Sequence, residues 1–251
     1  MVLKQNELKK RCKSTLKPTK TMNHKCLFSY LFCLSFLFSF QFLVAQKSIS
    51  VDPFTEIVLS GSMNVELVIG EKEEVMISTE GIETEDIAVK VNGGVLKINA
   101  LKALKNKNIE VNITIYHKQL YAISASAGAI VRKNETLEGD KLELDAASGA
   151  KISLDVNYKS LNVSSSTGAN LILSGKTESG QLSASTGGKI EGKKLEIERA
   201  YVVSSTGASI YVKAVSELEI VANSAGNVTY YGTPVKKSIK KVLAGEVTNE
   251  Y

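Results

Sequence analysis

The segment LELDAASGAKISLDVNYKSLNVSSSTGA, residues 142–169, contains two copies of one pattern, centred on Gly149 and Gly168. Each copy has an aliphatic residue, a small residue two places later, and then a short run of small residues around the glycine. Another aliphatic residue follows three places after the glycine. Because side chains two apart in an extended strand share a face, the pattern predicts short strands joined by a tight turn.

The glycine-centred turn recurs six times along the chain. The glycines are Gly128, Gly149, Gly168, Gly187, Gly207 and Gly226, so the successive differences between their sequence numbers are 21, 19, 19, 20 and 19. A period of about 20 residues is typical of one coil of a β-solenoid. The sequence predicts an all-β fold, a right-handed parallel β-helix (β-solenoid) with coils of about 19–21 residues. We expect ladders of aliphatic residues to fill the interior of the solenoid, with Val221 as the contribution of the last copy. The small residues and glycines are expected to form its corners.

Residues 52–121 are less regular but still rich in alternating strand patterns, and they are expected to form the first coils with longer excursions. The Asn92-Gly93-Gly94 segment between two apolar runs predicts a β-hairpin. Residues 101–107 are compatible with a helical turn or with a loop. After Pro234, residues 236–251 form a C-terminal tail that we expect to be loosely ordered.

Residues 22–46 have the layout of a secretory signal peptide: a basic start, the apolar run 27–45 and a small residue, Ala45, at its end. An uncleaved membrane anchor is the alternative, since the run is nearly long enough to span a bilayer. Met22 begins a more ordinary signal peptide than Met1, so residues 1–21 are interpreted as an upstream extension or a disordered tail. The expected domain is therefore 47–235, exported and without a membrane span after cleavage.

Charge and cysteines separate the leader from the rest of the chain. Residues 1–46 hold eight of the 31 Lys and Arg residues but one of the 26 acids, so residues 47–251 carry a net charge of −2. This balance argues against nucleic-acid binding, which needs a basic face. All three cysteines also lie in the leader, which excludes disulfides and thiolate metal sites from the expected domain.

The layout resembles one family, described as putative auto-transporter adhesin, head GIN domain. The matching segments are residues 54–67 (FTEIVLSGSMNVEL), residues 92–98 (NGGVLKI), the Ser/Thr-Gly-Ala repeats and residues 231–234 (YGTP), which together span about residues 52–235. This resemblance implies a right-handed β-helix and an envelope or secreted location, without implying a particular activity. Residues 244–246 (AGE) are less glycine-rich than the family pattern.

Catalytic and metal-binding residues are sparse outside the leader. His117 is the one histidine there; with no nucleophile motif nearby, we expect it to cap a strand in solvent. The carboxylates and cations that could serve a polysaccharide-acting enzyme are Glu143, Asp145, Asp155, Glu191, Glu196, Glu198, Arg132 and Arg199. These residues also match the solvated face of alternating strands, so we predict no catalytic, cofactor or metal site. No aromatic platform for sugar stacking stands out, because Trp is absent and the tyrosines are scattered.

Three functions remain open. The first is a non-catalytic, adhesin-like binding or scaffolding module of the cell envelope, whose partner is a glycan or a protein. The second is a β-helix enzyme, a lyase or hydrolase acting on polysaccharides, which would need a groove with convergent acids. The third is an assembly part whose exposed coil end forms homo-oligomers, because an open solenoid end presents unpaired strands.

Overall fold

The computed structural model describes residues 46–105, 108–133 and 135–250. It is an almost all-β structure, with 68% of these described residues in strands and no α-helix among them, and it forms a parallel β-solenoid of about seven turns. The predicted parallel β-helix is confirmed. The predicted signal peptide and upstream extension, up to residue 45, lie outside the described residues. No described helix is long and apolar enough to cross a membrane.

Seventeen strands make up the sheet. They are β1 Gln46–Ser50, β2 Glu56–Gly61, β3 Asn64–Ile69, β4 Glu74–Glu80, β5 Ala88–Asn92, β6 Val95–Ala100, β7 Glu110–His117, β8 Ala122–Ser126, β9 Ile130–Arg132, β10 Leu137–Ala146, β11 Lys151–Ser165, β12 Asn170–Ala184, β13 Lys189–Ser204, β14 Ser209–Ala222, β15 Asn227–Tyr231, β16 Lys236–Lys241 and β17 Glu246–Glu250. Two short 3₁₀ helices, Thr84–Asp86 and Leu101–Lys105, lie in the first half.

The strands stack in two parallel columns. One column runs β6-β2-β8-β10-β11-β12-β13-β14-β16, and the other runs β7-β3-β9-β11-β12-β13-β14-β15-β17. The long strands β11 to β14 belong to both columns, since each continues around its coil. Alternate residues of every coil therefore point inward and form ladders along the solenoid axis.

Each corner of the repeat is a tight turn with positive φ at both central positions. At the turn 166–169, Thr167 has φ 49° and Gly168 has φ 71°, and the Ala169 N–H donates to the Ser166 carbonyl at 3.0 Å. These are the dihedral signs of a type I′ turn, which glycine adopts without a Cβ penalty. The Gly168 N–H donates to the Thr186 carbonyl of the next coil at 3.2 Å. The corner interpretation of the glycine row is therefore confirmed.

The sixth turn is displaced by one residue from the glycine alignment. Its positive-φ residues are Ser224 and Ala225, and the Gly226 N–H closes it onto the Asn223 carbonyl at 2.7 Å. The corner therefore tolerates alanine at the position where the other five copies have glycine.

This displacement changes which residues of the last copy are inside. Ile220 and Val228 are 0% and 1% exposed and continue the aliphatic ladders. Val221, which the glycine alignment placed inward, is only partly buried. The alignment was wrong here because it took Gly226 as the turn glycine.

The solenoid continues beyond the boundary expected at residue 235. A seventh corner has positive φ at Leu243 and Ala244, β16 pairs in parallel with β14, and β17 pairs with β15. The prediction of a loosely ordered tail is therefore wrong, and the segment at 244–246 belongs to a corner. Its lysine-rich sequence concealed a coil, because all six residues of β16 are exposed and no apolar alternation marks the strand.

The first half forms coils closed by antiparallel strands. β4 pairs antiparallel with both β7 and β1, which covers the edge of the second column. β5 and β6 form the predicted hairpin, with Asn92 opposite Val95 and positive φ at Gly93 and Gly94. Of the two alternatives for residues 101–107, the structure gives a 3₁₀ helix for Leu101–Lys105.

Candidate functional site

The surface of the solenoid carries shallow depressions, and the eight candidate residues are distributed among them. Glu143 and Asp145 line one depression, Glu196 and Glu198 a second, and Asp155 and Glu191 a third. Arg132 and Arg199 line two others, beside Glu66 and Glu217 respectively. The structure thus keeps the two sequence-adjacent acid pairs together but does not bring the pairs into one cleft.

The Glu196 and Glu198 pair is engaged by side chains of the next coil. The Lys213 ammonium donates to Glu196 Oε1 at 2.5 Å, and the Ser216 hydroxyl donates to Glu198 Oε2 at 2.6 Å. The Lys213 hydrogen bond and charge hold the pKa of Glu196 below its ordinary value. A carboxyl with a lowered pKa is ionised at neutral pH and cannot act as the protonated general acid of a glycosidase.

The Glu143 and Asp145 pair lies on a flat polar surface. Their ladder neighbours are small or amide side chains: Ala122, Ser124, Asn162 and Ser164. Glu143 is exposed and Asp145 is partly buried. This part of the first column offers hydrogen-bonding groups in an open arrangement without the enclosure that excludes water from a catalytic site.

The third depression, which we call the trough, has a volume of about 560 Å³. Its floor comes from two neighbouring coils and is formed by Ser153, Leu154, Asp155, Ile172, Leu173 and Ser174. Its remaining lining residues are Lys133, Lys189, Glu191, Lys193, Lys194 and Tyr211. Ile172 is 46% exposed on the floor, so the trough offers an apolar surface surrounded by charged groups.

Asp155 is fixed in the trough floor by two hydroxyl groups. The Thr136 hydroxyl donates to Asp155 Oδ1 at 2.6 Å, and the Ser174 hydroxyl donates to Oδ2 at 2.7 Å. These hydrogen bonds lower the pKa of Asp155. The carboxylate is therefore ionised and oriented, and its remaining lone pairs can accept hydrogen bonds.

The trough exists because two coils are longer than the regular repeat. Arg132 pairs with Ser153 and Leu137 pairs with Val156, so four residues on one coil face two on the next. These two extra residues account for the longest glycine spacing, between Gly128 and Gly149, and Lys133 from this longer stretch lines the trough.

The other side of the trough is a bulge in β13. Glu191 pairs with Ile172 and Lys194 with Ser174, so two residues of β13 face one of β12. The extra residue lengthens the spacing between Gly187 and Gly207 by one and brings Lys193 and Lys194 to the surface. The two coils between these irregularities keep the regular period and supply the floor residues. Bulges commonly redirect side chains next to binding sites.

Aromatic rings and lysines alternate along this side, which sequence reasoning did not find. The Lys189 ammonium lies 5.4 Å from the centroid of the Tyr211 ring, and the Lys193 ammonium lies 4.6 Å from that of Tyr231. Distances of this size allow cation–π attraction. The two tyrosines are separated by about one period of the repeat. Their shared face could have been found by aligning them on the repeat.

His117 lies in the interior, so the expectation that it caps a strand in solvent is wrong. It is 1% exposed and shares the inward face of β7 with Ile113 and Ile115. Burial, and secondarily the Lys133 charge, lower the pKa of His117 to about 4. The neighbouring Lys133 side chain is fully covered and pairs with Glu135 at 3.1 Å. His117 is a neutral core residue because β7 is a stacked strand of the solenoid rather than its edge.

Metal coordination finds no support in the described part of the chain. No group of three or more His, Cys, Asp or Glu side chains there is placed to hold an ion.

Comparison with known proteins identifies the family. The family model described as putative auto-transporter adhesin, head GIN domain, matches residues 53–234. The chain belongs to this family. The resemblance seen in the sequence is therefore confirmed, on nearly the residues that carried it. A comparison with curated protein sequences gives no match.

Solved structures of similar fold come from the genera Bacteroides and Parabacteroides. A putative adhesin from Bacteroides fragilis is 21% identical, with a TM-score of 0.72 over 82% of this chain and 96% of that one. A putative adhesin from Parabacteroides merdae is 19% identical, with a TM-score of 0.67 over the same shares. A putative lipid binding protein from Parabacteroides distasonis is 17% identical, with a TM-score of 0.62, again over the same shares. These likenesses show a shared fold.

Proposed function

We propose that this head GIN domain protein is an exported, non-catalytic binding module of the cell envelope that acts in the manner of an adhesin. The observation that carries the proposal is the distribution of its polar side chains. They form open ladders along the outside of a rigid solenoid, and the candidate acids occupy separate shallow depressions rather than one enclosed cleft. Such a surface suits an extended partner that contacts several coils at once.

The family and fold comparisons support the same function. The family and two of the solved structures carry the description of adhesin, and the putative lipid binding protein also suggests a role in binding. An adhesin acts outside the cytoplasm, which agrees with the signal peptide predicted for residues 22–46.

A polysaccharide-acting enzyme is the second candidate, and the trough is the observation that favours it. Asp155 and Glu191 both line it, on strands about 10 Å apart along the solenoid and offset by two residues along the strand direction. Against it, Glu191 is paired with Lys189 at 2.7 Å, and Asp155 is held ionised. Asp155 is therefore not in a setting that would keep it protonated as a general acid.

One experiment separates the two functions. The purified chain is screened against arrays of glycans and envelope components, and the same panel is tested for polysaccharide degradation. We expect saturable binding without release of product. Released oligosaccharide that disappears in an Asp155→Asn or Glu196→Gln variant would show that the protein is an enzyme. A panel without a binder would contradict the binding function.

A further inference from the structure

We propose that the trough is a saccharide-binding site that selects acidic polysaccharides, with the β13 bulge recognising the anionic group. This inference rests on the binding function proposed above and adds the ligand class and the residues that select it.

The place of the trough in the repeat is the first argument. The two coils longer than the 19-residue period border it, one on each side, and the two floor coils between them keep that period. The bulge also breaks the pairing of β13 with β14, because Lys193, Lys194 and Leu195 have no partner between Gly192 and Glu196. An irregularity that leaves backbone unpaired needs a compensating role, and exposing two adjacent lysines beside a concavity supplies one.

The electrostatic balance of the trough is the second argument. Four lysines and two acids line it, in a domain whose net charge is negative. Lys189 is neutralised by Glu191 at 2.7 Å, and Lys133 by Glu135 at 3.1 Å. Lys193 lies 4.0 Å from Glu250, and its ammonium also makes a cation–π contact with Tyr231, 4.6 Å from the ring centroid. Lys194 makes no ion pair within the described residues. Neither Lys193 nor Lys194 has a carboxylate closer than 4.0 Å among the described residues, so both can attract an anion at the bulge.

The remaining groups suit the body of a sugar. Tyr211 offers a partly exposed ring, and Ile172 offers an apolar surface two strands away on the same ladder. Asp155, Ser153 and Ser174 provide polar atoms for hydroxyl groups on the floor. An apolar and aromatic surface with a few oriented polar groups is the usual composition of a small-ligand site.

The arrangement also sets the orientation of the ligand. Asp155 is ionised and would repel an anion, so the carboxylate or sulfate must lie away from it. Lys194 stands two strand spacings along the same ladder, about 10 Å from Asp155. We infer that sugar hydroxyls donate to Asp155 while the anionic substituent lies against Lys193 and Lys194.

The test uses polymers that differ in charge. Binding of the purified chain to dextran sulfate and polygalacturonate is measured by titration and compared with neutral dextran, which shares the backbone of dextran sulfate. We expect binding of the two acidic polymers, weakened by added salt, and no binding of neutral dextran. The Lys193→Ala, Lys194→Ala double variant should lose about tenfold in affinity.

The matched control is Lys90→Ala with Lys97→Ala. These lysines are paired between β5 and β6, and their loss changes the net charge equally. We expect this variant to bind like the unchanged protein, and Tyr211→Ala to weaken binding without changing the salt dependence. Circular dichroism checks that each variant is folded. If the Lys193→Ala, Lys194→Ala variant unfolds, the single variant Lys194→Gln replaces it in the binding test.

Five outcomes would overturn the inference. An equal loss of affinity in both double-lysine variants would mean that the polymers are attracted by overall charge. Binding of neutral dextran, with the same affinity in the Lys193→Ala, Lys194→Ala variant, would mean a different site or ligand. Capture of anionic lipid vesicles without either acidic polymer would assign another ligand class. If neither polymer binds while another envelope component does, the inference fails and the binding function stands; if nothing binds, both fail.

Discussion

At the residue scale, a corner glycine and a strand glycine show that glycine serves two different needs in this fold. At Gly168 a Cβ would find nothing within 4 Å, so glycine is favoured there only by its φ of +71°. At Gly175 a Cβ would lie 2.0 Å from the Val156 carbonyl oxygen of the previous coil, with φ at +104°. Position 168 requires only the left-handed backbone conformation. Position 175 requires a positive φ and also has no room for a Cβ.

The two glycines should therefore respond differently to alanine. We expect Gly168→Ala to lower the free energy of unfolding by about 1–2 kcal/mol, the cost of a left-handed alanine. Gly175→Ala should lower it by roughly 3 kcal/mol or more, since backbone must move between coils. Chemical denaturation of both variants measures the difference. Equal losses would show that the coils do not approach as closely as described.

His117 makes a separate, pH-dependent prediction. Its pKa is about 4 in the folded protein and about 6.5 in the unfolded chain, so the unfolded state binds more protons between these values. Stability should therefore fall as pH drops from about 6.5 to about 4, by up to about 3 kcal/mol. His117→Leu should flatten that part of the pH profile in denaturation experiments. If the stability of this variant depends on pH as steeply as that of the unchanged protein, the imidazole lies in solvent.

At the element scale, the two ends of the described solenoid are protected in different ways. β1 and β4 cover the second column at the first end with antiparallel pairing. The last coil has no such cover among the described residues. Instead, β16 places Lys237 and Lys241 in register with the inward residues Leu218 and Ala222 of β14. Charges on the inward face of an edge strand oppose pairing with a second chain.

Replacing those lysines should promote self-association. We expect Lys237→Val with Lys241→Val to form concentration-dependent oligomers, detected by sedimentation velocity, because the edge then resembles an interior strand. Lys236→Val with Lys240→Val, on the opposite face of β16, is the control and should associate less. If the unchanged protein already forms oligomers through this end, the assembly hypothesis would be favoured over this account.

The repeat explains how much of the element structure could be predicted from sequence. Five corners were located correctly because small residues and a glycine mark the positive-φ positions. The sixth was displaced because Ala225 takes the left-handed conformation that the alignment gave to Gly226. The seventh was missed because Leu243 and Ala244 form the same turn without the Ser/Thr-Gly signature, and exposed lysines hide the strand before it.

The trough and the position of His117 could not be derived in the same way. The two longer glycine spacings show that residues are inserted in two coils. They do not show that both insertions lie on the same side of the solenoid. Only the pairing of β9, β11, β12 and β13 brings them to opposite walls of one depression. The burial of His117 likewise depends on the stacking of β7 on β3, which joins residues that are distant in the sequence.

At the scale of the whole molecule, the described solenoid has polar ladders outside and an aliphatic interior. Its coils are linked by parallel strand pairing and by the corner hydrogen bonds. A ligand that spans several coils can meet the same chemistry repeatedly, while the trough adds one place of higher selectivity. Binding in this arrangement needs no movement of the scaffold and no proton transfer.

The measurement that most directly tests this account follows the fate of a bound polysaccharide. A polysaccharide that binds to the purified protein is incubated with it. The mass distribution of the polysaccharide is measured by size exclusion with light scattering before and after the incubation. The account predicts saturable binding and an unchanged mass distribution. Progressive shortening of the polymer, abolished by Asp155→Asn or Glu196→Gln, would contradict it and make the protein a β-helix enzyme.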